Sequence, residues 1–322
     1  MLELEGSAMM KDLEWWQQDS LGGDLENCLS HANSVNSSSL RYHDEVECCR
    51  DLFDALNNLW SGYRRSTNEL ASSDHRAFTD MLIKGIPQPR QEWLFTIASA
   101  QEFARFEPRI LNHDTLRMSP LYKPNQQIPS SLYTKAALKH RELANAMDRC
   151  KETPSNDTQT ALLKKLATML YVVRSNIAHG EKTPFGPDFK KVERDRHVCC
   201  YTRPVLEELL QAILDHPSRR LAVYGSLAPG KANYPVLAGI PGVWQEGFVR
   251  GELHDIGSLL ALRWRPGGEK IPVKVFMSDA LDKQKWSQLD YFEGIRYRRI
   301  LVPIKMLTGA TVVANLYEVQ SA

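Results

Sequence analysis

Apolar side chains return every three to four positions along four long stretches of the first two-thirds of the chain. Val46, Cys49, Leu52, Phe53, Leu56, Leu59, Trp60 and Tyr63 trace one face of a helix. Tyr133, Ala136, Ala137, His140, Leu143, Ala144 and Met147 do the same, as do Leu162, Leu163, Leu166, Leu170, Val173 and Ile177. Val205, Leu206, Leu209, Leu210, Ile213 and Leu214 form the last stripe, and a shorter helix is predicted from Trp93 to Phe106, ending before Pro108. No stripe can bury itself, so the five together predict an all-α helical bundle.

After residue 217 the period changes. Leu221 to Tyr224 is a short apolar run closed by Gly225, and strand-like runs follow over 248–253, 259–264, 273–276, 299–304 and 311–319. One helix is predicted among them, from Ala280 to Phe292. Six short strands with one or two helices predict a small α+β barrel. Glycine usage shifts at the same place, with seven of the eighteen in residues 1–217 and eleven in the remaining 105. His216-Pro217-Ser218 is a link that a helix would not cross. Two domains are therefore expected, 11–217 and 218–322. Residues 1–10 are acidic and lack the basic start and apolar run of a signal peptide, so they stand outside the expected fold.

Composition narrows the classes. Forty Lys and Arg against thirty-nine Asp and Glu leave a net charge of +1, which excludes a chain-wide polyelectrolyte but not a local basic site. No apolar stretch reaches the roughly 18 residues of a membrane helix, so no membrane partner is expected. Six cysteines, all at or before Cys200, fit a reduced cytoplasm better than a disulfide scaffold. Cys48-Cys49 and Cys199-Cys200 lie near His43 and His197, but adjacent cysteines do not match the spacing of structural zinc. Buried helix cysteines and no metal are expected.

The chemistry of the second domain concentrates in two motifs. Gly225 and Gly230-Lys231 stand at phosphate-loop spacing, but Ala232 replaces the magnesium-binding hydroxyl residue and Pro229 removes an amide, so a nucleotide loop is excluded. Asn233-Tyr234-Pro235 also disfavours a following helix. What remains is a strand ending at a glycine, where the amides of Gly225, Ser226 and Leu227 can receive a carboxylate or an oxyanion. The other motif is Leu289-Asp290-Tyr291-Phe292-Glu293-Gly294, followed by Tyr297-Arg298-Arg299. Glu293 falls at a helix end beside Phe292, where partial desolvation would raise its pKa toward neutrality.

Taken together, Tyr-Gly-Ser-Leu after a first strand and the later Leu-Asp-x-Phe-Glu-Gly resemble the γ-glutamylcyclotransferase-like family. The γ-glutamylamine cyclotransferase and avirulence-induced-gene-like branch is the nearest in pattern. Val249-Arg250-Gly251-Glu252-Leu253 and Ala314-Asn315-Leu316-Tyr317 also fit, so the resemblance covers 219–322. It implies a six-stranded barrel that closes a γ-glutamyl small molecule or peptide to 5-oxoproline and a free amine, without cofactor. Glu293 would be the general acid and base, the Gly225–Leu227 amides would hold the substrate, and Tyr224 and Tyr297 would line the pocket. Lys274 departs from the family's small residue and is expected to alter the pocket mouth or the substrate class.

In the first domain, Arg174 and His179 stand five residues apart before Gly180, about 140° apart around a helix. They converge on one ligand if the helix ends near His179, or if two copies meet across a dimer. Arg-x4-His followed by Gly resembles the HEPN superfamily of helical, often ribonucleolytic domains. The resemblance implies His179 as general acid and base, Arg174 on the scissile phosphate and Asn176 orienting one of them. Ser175 stands where the family commonly has Asn, Asp or His.

The expectation is a cytoplasmic two-domain enzyme combining cyclotransfer with metal-independent RNA cleavage, in a toxin or phage-defence setting. Its expected partners are RNA, a second copy through the helical domain and an antitoxin or regulatory protein. Two alternatives stand beside it: a ligand sensor that gates the ribonuclease, and a bundle that only dimerises a metabolic cyclotransferase.

Overall fold

The computed structural model describes residues 14–17, 22–37, 45–106, 135–178, 189–255 and 260–320. The chain forms two compact units, residues 1–39 with 214–322, and residues 40–213. The first helix, α1 (Gly22–Ser37), thus belongs with the C-terminal residues rather than with the bundle, unlike the expected division at 11–217.

The second unit is helical: α2 (Glu45–Ser66), α3 (Asp74–Lys84), α4 (Gln88–Thr96), α5 (Ala98–Arg105), α6 (Lys135–Glu152), α7 (Asn156–Ala178) and α8 (Phe189–Ile213). The stripes are its core, with Leu52, Leu56, Leu59, Trp60, Leu163, Leu166, Leu170, Val205, Leu206 and Leu209 buried. Tyr133 and His179 lie outside the described residues. The single helix expected over 93–106 is instead two, because Ile97 is extended (φ −71°, ψ 140°). Side chains take over the carbonyls that this break frees: Thr96 Oγ1 donates to Trp93 O at 2.8 Å and Gln101 Nε2 to Phe95 O at 3.3 Å. Helix α3, absent from the apolar stripes, starts at Ser73, whose hydroxyl accepts from the Arg76 N–H at 3.3 Å. Cys28, Cys48, Cys49, Cys150 and Cys199 are buried free thiols, whereas Cys200 is exposed.

Among the described residues the first unit holds six strands: β1 (Arg220–Val223), β2 (Val243–Asp255), β3 (Leu260–Trp264), β4 (Glu269–Met277), β5 (Tyr297–Met306) and β6 (Thr311–Val319). Their order is β3-β2-β4-β1-β6-β5, and β2 also pairs with β5. Only β1 and β6 run parallel. Gly247 sits at the closure, opposite Met306, where a Cβ would come within 2.9 Å of the Lys305 carbonyl oxygen. Any larger residue there would force the two strands apart. Pro272 lies inside β4, but β1 pairs with β4 only over Lys274–Met277, so its missing N–H leaves no gap in that ladder. Val249, Leu262, Val275, Ile300, Val302, Ile304 and Leu316 fill the inside of the sheet. A short helix, α9 (Pro235–Ala238), starts on Pro235, the position in a helix where proline is tolerated, although the sequence argued against a helix there.

Helix α1 buries Leu25, Cys28, Leu29, Ala32 and Val35, and one side chain ties it to β5. The Asn33 amide donates to Leu301 O at 2.8 Å and accepts from the Leu301 N–H at 2.7 Å. It therefore satisfies both backbone groups of an edge residue, as a neighbouring strand would. Replacing Asn33 with Ala strands both groups, and we expect a loss of about 1–3 kcal/mol. Urea unfolding should show a lower midpoint with an unchanged slope.

Candidate active site

Helix α10 (Lys283–Glu293) carries the acidic motif, beginning where Asp282 accepts from the Lys285 N–H at 2.8 Å. It stops at Gly294, whose φ of 71° suits glycine. Trp286 and Leu289 bury the helix, and the Trp286 indole donates to Ser218 O at 2.8 Å. Asp290, one turn before Glu293, accepts from the Tyr317 hydroxyl at 2.6 Å and from Arg299 Nε at 2.9 Å and Nη2 at 3.2 Å. The Arg299 guanidinium lies 4.6 Å from the centre of the Trp286 ring. Beyond the glycine, Gln320 holds the turn, its N–H donating to Arg296 O at 2.9 Å and its amide to Ile295 O at 3.1 Å. Glu293 is thus fixed from both sides.

Glu293 itself is half-buried and has no hydrogen-bond or ion-pair partner among the described residues. Burial raises its pKa from the ordinary 4.5 to about 7. Its charge acts on three tyrosines. Tyr224 is pushed up to about 12, first by burial, with the Leu262 hydrogen bond opposing and the charges of Tyr297, Glu293 and Glu318 adding. Tyr297 is raised by burial and then by Glu293, against Arg296. Tyr317 is raised by burial, by its bond to Asp290 and that charge, and to a lesser degree by Glu293. The structure therefore brings Glu293, Tyr224 and Tyr297 into one neighbourhood. The Tyr224 hydroxyl is already committed, accepting from the Leu262 N–H at 3.1 Å and donating to Tyr317 O at 3.3 Å, so its ring is what remains for a ligand.

The Gly225 loop is a turn closed by Ala228 N–H on Gly225 O at 3.1 Å. Asn233 clamps Ser226 twice, its N–H on Ser226 O at 3.0 Å and its amide on Ser226 Oγ at 2.9 Å. Among the described residues nothing accepts from the N–H groups of Gly225, Ser226 or Leu227. Leu227 is buried in the same apolar cluster as Trp286 and Leu289, so the loop and the helix of Glu293 share a core. Lys274, expected at a pocket mouth, instead pairs with Glu246 on the adjacent strand at 3.3 Å.

In the helical unit, the Arg174 guanidinium lies 5.7 Å from the Trp60 ring centre and 5.5 Å from that of Tyr171. Asn176 is half-buried on α7. The sequence reading gave no role to Asp290, Arg299 or Tyr317, nor to Trp60 and His75 near Arg174. Asp290 did carry a signal, since three residues before Glu293 is the same helix face.

The comparisons fall on the first unit. A family model described as gamma-glutamyl cyclotransferase, AIG2-like, matches residues 221–322, which form a domain of that class. Among solved structures, YkqA from Bacillus subtilis is 22% identical over 32% of this chain and 36% of its own, with a TM-score of 0.27. This chain thus spans little more than a third of YkqA. The uncharacterized protein PH0828 from Pyrococcus horikoshii is 29% identical over 32% of this chain and 79% of its own, with a TM-score of 0.25. A comparison with curated proteins finds no match. Among the described residues no helix is long and apolar enough to cross a membrane.

A carboxyl whose pKa is higher in the folded state holds its proton more tightly there, so it weakens the fold as pH rises from 4.5 through about 7. Glu293→Gln removes this effect. Thermal unfolding should show the variant more stable than the parent at pH 8, with no such gain at pH 4.

Proposed function

We propose that the AIG2-like domain is a γ-glutamylamine cyclotransferase with Glu293 as its general acid and base. The observation that carries this reading is a half-buried carboxyl, without a cationic partner among the described residues, whose pKa is about 7. Such a group is ready both to take and to return a proton near neutrality. Glu293 removes a proton from the substrate α-ammonium. The freed amine attacks the γ-carbonyl of the same molecule, and a C–N bond forms as the carbonyl becomes an oxyanion. The Gly225, Ser226 and Leu227 amides receive that charge, and the rings of Tyr224 and Tyr297 flank the substrate. Collapse breaks the bond to the original amine as Glu293 gives that nitrogen its proton; the ring nitrogen's second proton then passes through the regenerated carboxylate to the amine, which leaves as an ammonium ion, and 5-oxoproline remains. One carboxylate suffices because nucleophile and electrophile are already tethered.

With γ-glutamyl amines as substrates, release of 5-oxoproline should rise with pH through about 7 and then level, as the base form of Glu293 accumulates. Glu293→Gln should lower kcat by about 10²–10⁴. An unchanged rate removes Glu293 from the mechanism. Tight calorimetric binding without any 5-oxoproline from the parent makes the domain a ligand sensor instead.

A second reading concerns the helical unit, which we propose as an RNA-binding, HEPN-like ribonuclease domain, working as a homodimer in toxin or defence biology under a regulatory partner. One observation favours an anionic ligand there. Arg174 has no hydrogen-bond acceptor among the described residues, and the shielded Trp60 Nε1 and His75 Nε2 have no partner either. Burial and then the nearby Lys139 charge lower the His75 pKa. Single-stranded RNA should bind and be cut without magnesium. Arg174→Ala should weaken binding and reduce the salt slope by about one; unchanged affinity and slope would exclude Arg174 as a phosphate contact.

A further inference from the structure

A cleft of about 760 Å³ separates α1 from the open side of the sheet, within the range of about 300–1,000 Å³ usual for small-molecule sites. Its α1 wall lies outside residues 221–322, so the cleft is not part of what the family match covers. None of Glu293, Tyr224 or the Gly225 loop lines it.

Its floor is an ion pair. Glu318, 4% exposed, accepts from Arg298 Nε and Nη2, both at 2.7 Å, and from the Trp264 backbone N–H at 3.0 Å. A buried carboxylate is tolerated when it is this well satisfied. Arg298 is left with Nη1, which has no partner among the described residues, on a side chain 39% exposed. Beside it, the Trp264 indole N–H is shielded from solvent and has no acceptor. A shielded donor of this kind costs stability unless something accepts from it. Across the cleft, the half-buried Glu26 carboxylate has no hydrogen-bond or ion-pair partner among the described residues. Burial raises its pKa, against the attraction of Arg250.

The walls thus offer an unpaired acid on one side and, on the other, the free Nη1 of Arg298 beside Trp264. The charged groups of the cleft, Glu26 and Glu318 against Arg263 and Arg298, sum to zero. A simple anion would meet Glu26 and a simple cation would meet Arg298, so neither fits as well as a molecule carrying both charges. We propose that this cleft binds a free α-amino acid, its ammonium on Glu26 and its carboxylate on Arg298 Nη1, beside the Trp264 ring. The volume leaves room for a large side chain.

The test uses the full chain carrying Glu293→Gln, so that turnover at the other site does not interfere. The twenty free amino acids are titrated by calorimetry, and the Trp264 indole signal, assigned through Trp264→Phe, is followed by NMR. We expect at least one amino acid to bind and to move that signal. Its N-acetyl and amide derivatives should bind at least about tenfold more weakly, and Glu26→Gln should cost a similar factor. Ser30→Trp, which fills the cleft from an exposed position of α1, should abolish binding while leaving the unfolding temperature unchanged. The proposal is overturned if no amino acid binds. It is equally overturned if binding leaves the Trp264 signal unmoved, or if Glu26→Gln protein and the N-acetyl derivative bind as tightly as their parents.

Discussion

Asp290 is the point on which the site depends. It receives the Tyr317 hydroxyl from β6 and the Arg299 guanidinium from β5, and so ties the last turn of α10 to two strands. Arg299 also lies against Trp286, so the same cation presses on the helix it is bonded to. Together with the buried Trp286 and Leu289 and the Gln320 bonds beyond Gly294, this junction keeps the next turn, and Glu293 with it, at the edge of the tyrosine cluster. Asp290 is held by a hydroxyl and a cation, whereas Glu293, three residues on, has neither among the described residues and is raised by burial to about 7.

The loop after β1 supplies the complementary half. Its turn uses its carbonyls on Ala228 and Asn233 and leaves the N–H groups of Gly225, Ser226 and Leu227 without acceptors among the described residues. Leu227 reaches from this loop into the packing of α10, so displacement of either half disturbs the other.

Much of this was readable in the residues. The apolar stripes of α2, α7 and α8 needed only helical periodicity, and the strands after residue 217 announced themselves through glycine, proline and β-branched runs. The family resemblance was legible in the motifs at 224–230 and 289–294, and the match over 221–322 agrees with that resemblance. Three things were not legible. The break at Ile97 depends on side chains replacing lost backbone bonds, which periodicity does not weigh. The bonding of Asp290, Arg299 and Tyr317 joins a helix to two strands whose pairing no local pattern specifies. Helix α1 has its apolar residues spread among Ser, Asn and Gly, and its partner strand lies 268 residues away, beyond the reach of any window.

That separation shapes how the protein can be made. When α1 leaves the ribosome, the edge it will cover is still untranslated, and the whole helical unit of 40–213 must follow before β5 exists. The local contacts of the helices can form early, whereas the sheet unit must wait for both ends of its chain. The helical unit is thus, in chain order, an insertion into the sheet unit, with an apolar helix left unsheltered upstream of it during synthesis. A fragment beginning at residue 214 would keep every motif of the cyclotransferase class and yet lack the amide that closes its edge.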